Sequence, residues 1–125
     1  MTKNKRIRLH NQTVKKILNQ IDTTLNRTDR NRVLRDLYKT TIGCEDCGYN
    51  AYACVLQLDH IDPATKFRNS KGALVDPGNM VYQSTEKMLE EYLKCRVMCA
   101  NCHAVHTFTV QRQPRMSVAN VRLAA

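Results

Sequence analysis

Two cysteine pairs of identical spacing, Cys44-x-x-Cys47 and Cys99-x-x-Cys102, bracket the dipeptide Asp59-His60, and His103 follows the second pair directly. A Cys-x-x-Cys turn can aim both thiolates at one ion, and two such knuckles complete the tetrahedral shell of a closed zinc site. Four sulfurs leave no open coordination position, so the expected zinc is structural. Chemistry then falls to the harder donors nearest these landmarks, Asp59, His60 and His103. A carboxylate plus an imidazole can hold a divalent ion that keeps several waters.

The string Leu58-Asp59-His60-Ile61-Asp62-Pro63, followed by Cys95-x-x-x-Cys99-Ala100-Asn101-Cys102-His103-x-x-His106, resembles the HNH endonucleases, which are built on a ββα-metal core. The resemblance runs from Cys44 to about His106, roughly half of the chain. It implies that Asp59 and His103 hold a catalytic magnesium, manganese or similar ion and that His60 is the general base. His106, on the same helix face as His103, would bind the ion or the scissile phosphate. One position departs from the motif: its middle Asn, five residues before the third zinc cysteine, is Lys94 here. Asn79 and Asn101 are the substitutes, Asn101 being also a candidate cap for the following helix. The run Glu90-Glu91-Tyr92-Leu93-Lys94-Cys95 resembles a phage-type subgroup of the family, so Lys94 does not by itself imply inactivity.

The residue chemistry suits phosphodiester hydrolysis. That reaction needs a nucleophile, stabilisation of the charge developing on phosphorus and help for the leaving oxygen, which one ion and one imidazole can supply. An ordinary histidine, with a pKa near 6.5, is mostly neutral at pH 7 and ready to accept a proton.

At 125 residues the chain suits one modest domain, of the size that often recruits a metal for stability. Six cysteines without a secretory leader, paired at metal spacing, point to a reducing cytoplasm, that of the host if the gene is phage-borne, rather than to a disulfide framework. No apolar run approaches the roughly 20 residues that cross a bilayer. The net charge of +9 is concentrated: residues 1–40 carry eleven Lys or Arg against three acids, whereas the remaining 85 residues are nearly balanced. Clustered bases neutralise phosphates and release counterions. Lys3, Lys5, Arg6, Arg8, Lys15, Lys16, Arg30, Arg32 and Arg35 are therefore the candidate DNA-contacting residues, against the alternative of a merely solvated basic face.

The elements that must position these groups follow from periodicity and punctuation. Residues 1–10 read as a flexible basic tail in which His10 carries no signal. Val14, Ile17, Leu18, Ile21 and Leu25 fall at helical spacing, and Thr28 or Asp29 can cap a second helix that buries Val33, Leu34, Leu37 and Tyr38. Residues 51–58 suit a strand delivering Asp59-His60, Pro63 stops it with Asp62 bracing the turn, and residues 64–78 read as a polar loop. Ser84 is the expected cap of a helix over 85–94 that carries a Glu90–Lys94 pair. Residues 95–98 form the second strand and 100–108 the metal-binding helix, with Cys54 and Cys95 expected as small buried hydrophobes.

The expected architecture is thus α+β. It comprises a basic helical region over 1–40, a zinc-bound ββα-metal core over 41–110, and a tail over 111–125 that is free, a dimer contact or a further DNA contact. The expected function is a free-standing, metal-dependent DNA endonuclease. Its rivals are a non-catalytic zinc-containing DNA-binding module and a recruiting factor in a DNA-packaging or replication assembly. The partners are then DNA, with a second copy or a phage assembly protein as candidates, and no membrane.

Overall fold

In the computed structural model, which describes residues 1–111, the chain begins with α1 (Lys3–Leu18) rather than a free tail. The reason is local and long-range at once. Thr2 caps the helix, its hydroxyl accepting from Lys5 N at 3.2 Å, and Lys15 and Lys16 complement the dipole at the far end. His10 then packs inward, its Nδ1 2.8 Å from the buried Tyr38 hydroxyl, and burial pushes its pKa down so that the ring is neutral. The helix ends at Leu18, earlier than the apolar spacing predicts, and Ile21 reaches the core from the turn that follows.

Asn26, not Thr28 or Asp29, caps α2 (Arg27–Ile42): its side chain accepts from Asp29 N at 2.9 Å. Leu34 and Tyr38 are buried as expected, but Val33 and Leu37 lie on the exposed side of the stripe. Gly43, at φ +73°, ends the helix by donating to Lys39 O and turns the chain into the first knuckle. A Cβ there would meet Asn50 Cβ at 3.2 Å and Tyr49 O at 3.3 Å.

After a single 3-10 turn, Ala53–Val55, the strand β1 is confined to Leu56–His60, so it carries Asp59 and His60 as its last two residues. Cys54, on that turn, is exposed rather than buried. Asp62 caps the next turn by accepting from Ala64 N. The loop that follows is partly ordered by an isolated bridge between Arg68 and Leu74, and a six-residue 3-10 segment, Pro77–Tyr82, leads to the next helix. Ser84 caps α3 (Thr85–Leu93) as the sequence predicts. Within it the expected Glu90–Lys94 pair is replaced by Lys94 with Glu91, at 2.9 Å. The described residues end with β2 (Cys95–Cys99), α4 (Ala100–His106) and a short π-helical turn, Thr107–Gln111. Cys99 Sγ, not Asn101, caps α4, accepting from Cys102 N at 3.4 Å. Apart from Gln111, the tail expected over 111–125 lies outside the described residues.

The two strands pair antiparallel, with Leu56 opposite Cys99, Asp59 opposite Arg96 and His60 opposite Cys95. One continuous core joins this ladder to the N-terminal helices: Ile17, Leu34 and Tyr38 pack in the same cluster as Leu56, Met80, Met88, Tyr92 and Val97. The architecture is α+β, four helices around a two-stranded sheet among the described residues.

Asn31 is the polar pin of this core. Fully buried, it donates to Val81 O and Gln83 O at 3.0 Å each and accepts from Thr85 Oγ1 at 2.7 Å, tying α2 to the start of α3. Replacing it with Ala strands two carbonyls and a hydroxyl in the interior. Asn31→Ala is expected to lose about 2–3 kcal/mol of unfolding free energy in urea titration, with an unchanged urea dependence.

Candidate functional site

The first knuckle is a tight turn: Gly48 N donates to Cys44 O, Cys44 N to Tyr49 O, and Cys47 N to Cys44 Sγ at 3.5 Å. The second repeats the last contact, Cys102 N to Cys99 Sγ. Glu45 joins the two, its N–H donating to Val97 O at 2.8 Å and its carboxylate accepting from Val97 N at 2.7 Å. Arg6 locks Glu45 in turn, at 2.8 Å, and donates to Cys95 O. The result is that all four thiol sulfurs lie within 4.8 Å of one another.

This donor set fits zinc. Cys47 Sγ and Cys99 Sγ are 3.7 Å apart, which is close to the about 3.8 Å edge of a sulfur tetrahedron with bonds of about 2.3 Å. All four are free thiols. Burial opposes ionisation of Cys44, but the N–H groups of Cys47, Cys99 and Asp46 outweigh it and pull its pKa to about 6. Cys102 moves the other way, chiefly through its thiol contact with Cys99. A cluster of this kind favours one thiolate readily and resists the others until a cation shares their charge.

The register of the ladder sorts the remaining candidates onto two faces. Asp59 and Arg96, paired across the strands, point toward α4. There the Asp59 carboxylate, with a side chain only 10% exposed, presents Oδ1 to His103 Nε2 at 3.4 Å. Its Oδ2 accepts from Arg96 Nε at 3.2 Å and Nη2 at 3.1 Å. The same Nη2 donates to His106 Nε2 at 2.5 Å, which requires that nitrogen to be unprotonated. Asp59, His103 and His106 are therefore neighbours, but Arg96 stands between Asp59 and His106. Among the described residues, the four cysteines are the only group of three or more His, Cys, Asp or Glu side chains gathered closely enough for one ion.

Asp59 Oδ1 and His103 Nε2 form a two-donor pair of oxygen and nitrogen. Two ligands at right angles on an ion with bonds of about 2.1 Å lie about 3 Å apart, so closing the 3.4 Å gap by a few tenths of an ångström would let both bind a divalent ion. Water or a phosphate oxygen must complete such a shell, as hard divalent ions prefer.

His60 lies on the other face. Its ring is 4% exposed and its Nε2 meets Glu91 Oε2 at 2.5 Å, inside the core. The ladder thus separates His60 from Asp59, although they are adjacent in sequence. Glu91 also accepts from Phe67 N and Lys94 Nζ. Burial alone would raise its pKa, but these three hydrogen bonds, His60 first, hold it below the ordinary glutamate value. A carboxylate accepting from Nε2 places a proton on that nitrogen and fixes the orientation of the ring.

Two residues that matter here escaped sequence reasoning. Glu91 had a signal, a carboxylate inside the Met88, Tyr92 stripe of an amphipathic helix. Arg96 had a weaker one, since it alternates with the buried Cys95 and Val97 and must face the Asp59 side. Lys94, at the motif's missing Asn, braces Glu91 and Thr65 O. Asn101 and Asn79 are exposed and make no side-chain hydrogen bond among the described residues.

Of the basic residues expected to contact DNA, Lys3, Lys5, Arg8, Lys15, Lys16 and Arg32 are exposed. Arg6 is withdrawn into its Glu45 pair, Arg35 is partly buried against Asp36 and Gly78 O, and Arg30 is partly buried. Arg32 pairs with Asp29 and lies 5.6 Å over the exposed Tyr82 ring. No helix of the described residues is long and apolar enough to cross a membrane.

Adding zinc to the reduced, metal-free protein at pH 7 should load one ion per chain and release about two to three protons, read with an indicator in weak buffer. Affinity should fall as the pH drops, because protons compete for the sulfurs. Cys44→Ser should weaken zinc retention and lower the thermal midpoint in the same preparation. No family model matches this chain, and neither a curated protein nor a solved structure matches it.

Proposed function

We propose that this protein is a metal-dependent DNA endonuclease of the HNH type. The observation that carries the reading is the Asp59–His103 pair, 3.4 Å apart and held by β1 and by the helix that springs directly from the four-cysteine cluster. That arrangement joins the features named by the sequence motif: two strands, a helix, a rigid sulfur site and one pair of hard donors. In this reading the zinc is structural, and Asp59 and His103 would hold a magnesium, manganese or similar ion, which would supply Lewis-acid chemistry toward the phosphate. The exposed bases of α1, with Arg32 on α2, supply the charge that draws the DNA backbone. His60 is the general base of this reading, its Nε2 held by Glu91, and to take a proton from water its buried ring would have to present Nδ1 toward the Asp59 side. His106, held by Arg96, faces the phosphate rather than the ion.

A second reading, a zinc-containing DNA-binding module without catalysis, has one specific observation behind it. His60 is buried against Glu91 on the face opposite Asp59, as a structural histidine would be. Such a protein would need the His60–Glu91 pair for stability and the basic surface for function. A recruiting role in a DNA assembly would use that same surface together with a protein partner.

The two readings separate in one experiment. Supercoiled plasmid is incubated at low salt with the zinc-loaded protein and magnesium, manganese or chelator, beside Asp59→Ala and His60→Ala checked for equal zinc content. The nuclease reading expects metal-dependent nicking or linearisation that falls about 100-fold or more in either variant. Retardation of the plasmid without cutting under every ion would establish the binding module instead.

A further inference from the structure

Among the described residues Arg96 is the cation held against Asp59 in the candidate site, and its place there is not incidental. Its guanidinium contacts Asp59 Oδ2 through two nitrogens and His106 Nε2 through one of them, with its side chain 26% exposed and that of Asp59 10% exposed. A carboxylate so nearly buried is costly without a partner, and Arg96 supplies one from directly across the ladder. Yet this is the only carboxylate of the pair read above as holding a divalent ion. Arg96 and that ion would be like charges competing for the same acceptor.

We propose that Arg96 is an internal counter-cation that competes with a divalent ion for Asp59, so that ion affinity is set low by the protein itself. The inference rests on the proposed reading of Asp59 and His103 as the ion's ligands. Asp59 and Arg96 together are neutral, which leaves no net negative charge to attract a dication. Two clefts give Arg96 somewhere to go: one of about 400 Å³ that it lines with Glu45 and Asp46, and one of about 680 Å³ that it lines with Asp62. A DNA phosphate entering the site would offer the guanidinium a bidentate partner and relieve the competition at Asp59. Ion and phosphodiester would then reinforce each other's binding, the coupling being reciprocal.

The test measures manganese binding to the zinc-loaded full chain, without DNA, by the paramagnetic resonance signal of the free ion. Wild type is compared with Arg96→Met, Arg96→Lys and Asp59→Asn, all checked for equal zinc content and for being fully folded at the assay temperature. Arg96→Met is expected to bind manganese at least about tenfold more tightly than wild type, since a positive charge a few ångströms from the ion is removed. Arg96→Lys, which keeps the charge, is expected to stay within about threefold of wild type, and Asp59→Asn to abolish binding. A residue that merely held the strands together would weaken the site when lost, so the sign of the effect decides. Unchanged or weaker binding in Arg96→Met, while Asp59→Asn still abolishes it, overturns the competition and leaves the ion site standing. If Asp59→Asn binds as wild type does, or if neither wild type nor Arg96→Met binds at millimolar manganese, the ion-site reading fails and this inference with it.

Discussion

The register of a five-residue antiparallel ladder decides where every candidate group lies. With Asp59 opposite Arg96 and His60 opposite Cys95, one face of the ladder collects Asp59, Arg96, His103 and His106, and the other buries His60 with Glu91. A slip of one residue would exchange the faces, putting a carboxylate and a guanidinium into the apolar core. Two things hold the register. Apolar Leu56 and Val97 must face inward, and Glu45 clamps Val97 through both its backbone N–H and its carboxylate.

The sulfur cluster and the ladder share Cys99, which ends β2, caps α4 and lies among the four thiols. Metal binding at the four thiols would therefore be coupled to the placement of α4. The first turn of α4 carries His103, so the geometry of the Asp59–His103 pair depends on the cluster even though no sulfur touches it. Structural zinc stabilises a small domain by contributing binding energy to the folded state. Here it would also set the angle at which a pair of hard donors meet.

Charge is placed asymmetrically for similar reasons. The basic N-terminal residues do not extend as an arm, because Arg6 is neutralised by Glu45 and α1 contributes Ile17 to the common core. Helix packing turns a charge run into a surface with an inside and an outside. Lys3, Lys5, Arg8, Lys15 and Lys16 stay on the outside, and Arg6 becomes a structural tie between the first helix and the first knuckle.

Much was legible in the sequence where the determinants are local. The paired Cys-x-x-Cys spacing, the Ser84 cap, the strand that ends at Asp59-His60 and the helix after Cys99 are set by turn chemistry and periodicity within a few residues. Other features were decided only by tertiary structure, because they depend on partners far along the chain. Arg6 meets Glu45 from 39 residues away, Asp59 meets Arg96 from 37 and His60 meets Glu91 from 31. The same reason accounts for the burial of His10 against Tyr38 and, together with the local Thr2 cap, for the helix found where a tail was expected. The sequence alone determined which residues carry metal-binding donor atoms, and of these the structure gathers the four cysteines within reach of one ion. The pairing of two short strands decided which of them share a face, since side-chain direction alternates along a strand and adjacency in sequence then means separation in space.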